Sequence, residues 1–164
     1  MTNSITTSAI WEFLEDVKDP EVPVLTVVDL GVVRNVELQN DNACTVTITP
    51  TYSGCPAMQV IEEGIIERLQ QEGISTKVIT TLSPAWTTDW LSENGRKKLR
   101  EYGIAPPEDE VDKSVLFAEP TVVPCPNCGS KNTRMVSQFG STACKAHYTC
   151  KDCLEPFDYF KCLK

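Results

Sequence analysis

The chain is 164 residues long, 41% hydrophobic, 7% aromatic and 23% charged, enough to bury one modest core beside a small second unit. This composition excludes fibrous, collagen-like and wholly disordered chains. Its longest apolar runs, Val115 to Ala118 and the broken stretch Val22 to Val28, fall far short of the roughly 18 residues a membrane span requires. The net charge of -8 argues against a nucleic-acid binder, and it is unevenly spread: residues 1–120 carry 9 Lys and Arg against 20 Asp and Glu, residues 121–164 carry 6 against 3.

The polar start, Met1-Thr2-Asn3-Ser4, does not read as a secretory leader, so a cytoplasmic location with no membrane contact is expected. In a reducing compartment the 8 cysteines are expected to bind metal or do redox chemistry rather than form structural disulfides.

In chain order, Thr7-Ser8 before Ile10, Trp11, Phe13, Leu14 and Val17 predicts a capped amphipathic helix ending at Asp19-Pro20. Val32 to Leu38 is strand-like, Asn40-Asp41-Asn42 is a turn, and Cys44, Val46 and Ile48 alternate with Thr45, Thr47 and Thr49, which predicts a half-buried hairpin. Pro56 opens a second helix, with Met58, Ile61, Ile65 and Leu69 at helical spacing and Gly73 at its end; Lys77 to Leu82 supplies a third strand. Thr87 or Thr88 caps a last helix carrying Trp90, Leu91 and Leu99. The expected class is α+β: a small N-terminal α+β domain (αββαβα) over residues 1–104, followed by a C-terminal four-cysteine zinc ribbon.

Residues 105–121 are acidic, contain proline and lack a hydrophobic period, which marks a linker. Residues 122–164 hold six of the eight cysteines and are too short to fold on an apolar core alone, so a metal is expected to hold them. Cys125-Pro-Asn-Cys128-Gly129 and Cys150-Lys-Asp-Cys153 are two Cys-x-x-Cys turns with 21 residues between them. Each turn points two thiolates inward, and four thiolates make a tetrahedral cage for structural zinc, with iron the alternative occupant. Gly129 supplies a residue tolerant of positive φ after the second thiolate. Cys144, His147 and Cys162 lie nearby as candidates for a secondary site, although small buried side chains are the commoner fate of such cysteines. His147 is the only histidine, which disfavours a hydrolase.

Two N-terminal clusters look less like packing. Asp19-Pro20-Glu21 sets two carboxylates almost side by side at a helix end, where capping and solvation are the ordinary roles. Thr51-Tyr52-Ser53-Gly54-Cys55-Pro56 places a thiol just before a helix start, where the helix dipole favours anionic groups. Should the two lie together, Cys55, Asp19 and Glu21 form a candidate site for transient iron or an iron-sulfur cluster, the alternative for Cys55 being a partly buried structural thiol. Cys44, on the alternating strand, reads as core. With Tyr52 and Ser53 nearby as hydrogen-bonding groups but no positioned base in view, Cys55 is a poor catalytic nucleophile, so no catalytic activity of its own is expected.

Asp19-Pro20-Glu21, Val28-Asp29-Leu30-Gly31-Val32-Val33 and the Thr51 to Pro56 stretch resemble the DPE-motif family of iron-sulfur assembly factors, which includes the bacterial SufT proteins. That resemblance covers about the first hundred residues and implies a compact α+β domain, a reactive Cys55 and a role in maturing metalloproteins. Joined to the ribbon, and with Ser83 to Trp90, Ser137 to Ala146 and Glu155 to Asp158, the whole chain resembles a phenylacetate-degradation family of accessory subunits of the multicomponent phenylacetyl-CoA epoxidase. The resemblance implies service to the oxygenase, which holds a diiron site, or to the reductase, which carries flavin and an iron-sulfur cluster. Expected partners are these subunits and the iron-sulfur assembly machinery, and a homodimer is compatible with the same reading. The competing reading is a non-catalytic, zinc-stapled adaptor that docks through Trp86, Trp90, Phe139, Phe157, Tyr159 and Phe160.

Overall fold

The computed structural model describes residues 4–40, 42–52, 54–107 and 122–161. It forms two compact units, Met1–Gly95 and Arg96–Lys164. Among the described residues no helix is long and apolar enough to cross a membrane.

The first unit opens with helix α1, Thr7–Leu14, whose N-cap is Thr6: its hydroxyl accepts from the Ala9 backbone N–H. The expected cap at Thr7-Ser8 is therefore displaced by one residue, and the helix stops before Val17. Val17 is instead bound into a loop, its carbonyl accepting from Val27 N–H at 2.9 Å, while Lys18 and Thr26 form an isolated antiparallel bridge. Strands β1, Val33–Asn40, and β2, Ala43–Ile48, pair antiparallel as the alternation predicts. Helix α2, Ala57–Gln71, then crosses over to strand β3, Ser75–Thr80, which pairs parallel to β2. A parallel neighbour needs such a crossover, since a tight turn cannot reverse the chain twice.

Register follows from strand alternation. Val36, Val46 and Val78 lie in one row across the sheet, and Leu38, Cys44 and Thr76 in another. These rows face the helices: α2 buries Ala57, Ile61, Ile65 and Leu69, α1 buries Ile10 and Leu14, and α1 packs on both α2 and β1. Strand β3 starts two residues earlier than the expected Lys77, because Gly73, at φ +76°, ends the helix abruptly and the chain is extended by Ser75.

The predicted last helix is two pieces. Thr87 caps a single 3-10 turn, Thr88–Trp90; Leu91 is extended; and helix α3, Glu93–Tyr102, begins after it. Ser92 explains the break: its N–H donates to the Asp29 carbonyl at 2.8 Å, while its hydroxyl accepts from Gly95 N–H at 2.9 Å and so caps α3.

The second unit is a four-stranded sheet in the order β4-β7-β6-β5, built from β4, Ile104–Ala105, β5, Thr133–Ser137, β6, Lys145–Cys150, and β7, Pro156–Phe160. Its core gathers Ala105, Val123, Cys125, Ala146, Tyr148, Cys150, Phe157 and Tyr159. Tyr148 stacks on Phe157 at 5.7 Å and meets Tyr159 edge-on at 5.6 Å. Of the expected linker, Ala105 lies in β4, paired with Tyr159, and residues 108–121 lie outside the described residues.

Candidate functional site

The two Cys-x-x-Cys turns fold alike. Cys125 N–H donates to the Ser130 carbonyl at 2.9 Å, and Cys150 N–H donates to the Glu155 carbonyl at 3.0 Å, so each turn closes over six residues. Together they bring the Sγ atoms of Cys125, Cys128, Cys150 and Cys153 within 4.8 Å of one another. Cys125 and Cys153 are 3.7 Å apart, Cys128 and Cys150 3.6 Å. Four zinc–sulfur bonds of about 2.3 Å at tetrahedral angles put sulfurs about 3.8 Å apart, so the cage fits zinc. Cys125 and Cys150 also belong to the unit's core, at 2% and 0% exposure, whereas Cys128 is exposed.

Electrostatics show why the cage needs a cation. The backbone N–H of Cys153, assisted by that of Asp152, holds the Cys150 thiol down to about 7. At Cys153 the Glu155 backbone also pulls downward, but burial and the three neighbouring thiols outweigh it and push that thiol up to about 12. Four thiolates in one small volume repel, and a divalent ion removes the repulsion. With all four positions taken by protein sulfur, no position would be left for water or substrate, so an ion held there would serve to hold the unit together.

Cys144 and His147 lie outside this cage. Cys144 is buried and contacts the Thr142 hydroxyl at 3.0 Å, while His147, on β6, sits 3.6 Å from the Asp158 carboxylate on β7. Cys144 lies in the turn just before β6 and His147 on the strand itself, and each has a partner of its own. Cys162 lies outside the described residues.

In the first unit, Asp19 is 7% exposed, and its Oδ1 accepts from the N–H groups of Glu21 at 2.8 Å and Val22 at 2.7 Å. This carboxylate therefore organises the turn through Pro20 and Glu21. Cys55 is partly exposed and lies just before α2, its N–H donating to the Tyr52 carbonyl. Among the described residues it is the one cysteine outside the cage that is not buried. The chain leaving α1 runs along α2 toward that helix start: Asp16 pairs with Arg68, Val17 lies against Gly64, and Lys18 lines a shallow cleft with Val60. Cys44 is buried, and burial pushes its thiol up.

Two residues carry more than the sequence signalled. Asp29, at 2% exposure, accepts from Thr26 N–H at 3.2 Å, the Ser92 hydroxyl at 3.2 Å and the Asn94 amide at 3.3 Å, tying the 26–31 turn to the start of α3. Its place in the Val28 to Val33 stretch that carries the family resemblance was the available clue. Thr49, just after β2, is 1% exposed, and among the described residues its hydroxyl has no hydrogen-bond partner. Such a buried, unsatisfied group costs about 1–3 kcal/mol.

Residues 7–78 match the family model described as iron-sulfur cluster assembly protein, and residues 109–161 match the one described as PaaD zinc beta ribbon domain. Over 155 residues the chain is 49% identical to an Escherichia coli protein provisionally named as one of the subunits of 1,2-phenylacetyl-CoA epoxidase, covering 94% of this chain and 92% of that one. It is 36% identical to the Fe-S protein maturation auxiliary factor SufT of Staphylococcus aureus, over 45% of this chain and 85% of that one. Among solved structures, a domain of unknown function from Bacillus anthracis matches with a TM-score of 0.53 at 26% identity, over 56% of this chain and 89% of that one.

Proposed function

The chain belongs to the PaaD family, and on that footing we propose that it is a cytoplasmic accessory protein of phenylacetate catabolism that helps deliver iron or an iron-sulfur cluster to the multicomponent phenylacetyl-CoA epoxidase. One observation carries the reading: a unit matching the iron-sulfur cluster assembly model and a four-cysteine ribbon are joined in one chain, and Cys55 of the first unit is outside the cage and partly exposed, unlike the buried Cys44. A thiol that is neither a ligand of the resident ion nor core is available to a transient cargo.

In this reading Cys55 is the soft ligand that accepts iron or a cluster as cargo. Asp19 and Glu21 belong to a loop whose approach runs along α2 toward Cys55, and their carboxylates supply harder oxygen ligands or fix the loop's shape. The buried Thr49 hydroxyl, in the same strand-to-helix connection as Cys55, gains a partner when a ligand binds there. The ribbon keeps a structural metal of its own and presents the segment from Ser137 to Ala146 to a client subunit. No step needs a general base, and the chain performs no catalysis of its own.

Measuring iron, acid-labile sulfide and flavin in the oxygenase and reductase subunits tests this, using subunits purified from cells with the protein, without it, and with Cys55→Ser. Loss of iron or sulfide from one subunit, at unchanged subunit level, is the expected result and identifies the client. Fully loaded subunits in all three backgrounds would overturn it. The adaptor reading has one observation in its favour, Phe139, 66% exposed at a hairpin tip beneath the Lys161 ammonium at 4.5 Å. The other aromatic residues offered for docking are less available: Trp86, Phe157, Tyr159 and Phe160 are buried, and Trp90 lies 3.5 Å beneath the Arg34 guanidinium.

A further inference from the structure

The halves of the metal cage are joined by a link that no cysteine makes. Ser130 and Asn132 leave the first turn, while Asp152 sits between the two cysteines of the second. The Ser130 hydroxyl donates to Asp152 Oδ2, and the Asn132 amide donates to Asp152 Oδ1 at 2.8 Å. Asn132 N–H in turn donates to the Ser130 hydroxyl at 3.0 Å, and Lys151 N–H donates to the Asn132 carbonyl at 2.8 Å. Both carboxylate oxygens and both backbones are thus engaged across the cage.

We infer that Ser130, Asn132 and Asp152 form a latch that positions the two cysteine turns and governs how long the ribbon keeps its metal. Charge alone argues against an aspartate here. Four thiolates around a divalent ion leave a net charge of about -2, and a carboxylate next to two of the ligands adds repulsion. What the carboxylate contributes is geometry. It holds the turn whose backbone N–H groups, those of Cys153 and Asp152, face the Cys150 sulfur, with Cys153 N–H at 3.5 Å. The latch also bonds protein to protein, so the two turns stay in register when one sulfur lets go. A ligand that dissociates then rebinds before a chelator captures the ion.

The charge and latch accounts give opposite signs for the same substitution. Asp152→Asn removes the repulsion, so a charge effect alone slows metal release; it also turns one of the two acceptors into a donor, so the Ser130 hydroxyl or the Asn132 amide loses its acceptor and a latch effect speeds release. The inference rests on the cage holding zinc. The full chain, loaded with one equivalent of zinc, is therefore first assayed for bound metal and then mixed with excess chelating dye to time release. A wild-type chain that takes up no zinc would overturn the latch together with the zinc cage.

Given zinc uptake, Asp152→Asn and Ser130→Ala should each speed release by roughly 10- to 100-fold, matching the loss of metal affinity that usually follows removal of an outer-shell partner. The double variant should release no faster than the faster single, since both break one link. Lys131→Ala, a neighbouring exposed residue outside the link, should match the wild type. Release from Asp152→Asn at or below the wild-type rate, or single effects that multiply in the double variant, would overturn the proposal. Should Asp152→Asn hold zinc too poorly to time, Ser130→Ala decides alone: it leaves all charges in place, and a wild-type rate for it would equally overturn the latch.

Discussion

Gly129 and Leu154 occupy the same position in the two metal turns, each following the second cysteine, with φ of +76° and +66°. Leu154 is the one described non-glycine residue in that left-handed region, and its side chain is 75% exposed. An L-residue there costs about 1–2 kcal/mol, partly offset by the conformational entropy a glycine loses on folding. Leu154→Gly should therefore stabilise the zinc-loaded chain by about 1 kcal/mol, read as a higher melting temperature. In the opposite direction, Gly129→Ala should cost about 1 kcal/mol from backbone strain alone, since an added Cβ meets nothing within 4 Å.

A harsher outcome is expected at Gly31. Its φ is +70°, and an added Cβ would fall 2.5 Å from the Trp90 carbonyl oxygen and 2.8 Å from Trp90 Cβ. Backbone has to move to relieve that overlap. Gly31→Ala should lower unfolding free energy by about 2–4 kcal/mol, combining left-handed strain with overpacking. Urea denaturation monitored by tryptophan fluorescence checks it, and a loss below 1 kcal/mol would show that the 84–91 segment yields easily.

Among the described cysteines of the zinc-loaded chain, alkylation should proceed first at Cys55. Cys44 and Cys144 are 2% and 4% exposed, and the remaining four are committed to the cage. Mass spectrometry after a brief iodoacetamide pulse should find modification at Cys55 at least tenfold ahead of Cys44, whose thiol is also pushed up by burial. Equal rates would mean that Cys55 is shielded and would remove the main support for a cargo site.

Removing a cage ligand should separate the two units by their dependence on metal. Cys125→Ser leaves three thiolates and takes a core residue out of the second unit. It should lose bound zinc and native signals from the residues after Arg96, while the first unit keeps its own fold. Cys55→Ser should retain full zinc and an unchanged melting temperature. Zinc analysis with residue-resolved hydrogen exchange distinguishes these outcomes, and full zinc occupancy in Cys125→Ser would remove that cysteine from the cage.

Much of this protein was legible from local chemistry. The paired Cys-x-x-Cys turns announce a four-thiolate cage because spacing within each turn dictates where its sulfurs point. Alternation from Cys44 to Thr49 and helical spacing from Ile61 to Leu69 announce β2 and α2 because each period is set by the geometry of one element. Other features depend on contacts between residues distant in sequence, and only the tertiary structure decided them. Val17 left the helical pattern to bond Val27; Ser92 split the last helix by bonding Asp29; and Asp152 met Ser130 and Asn132 across some 20 residues. In each case a hydrogen bond to a remote partner outweighed a local preference worth only tenths of a kcal/mol per residue. No period or motif within a short window encodes such a partner.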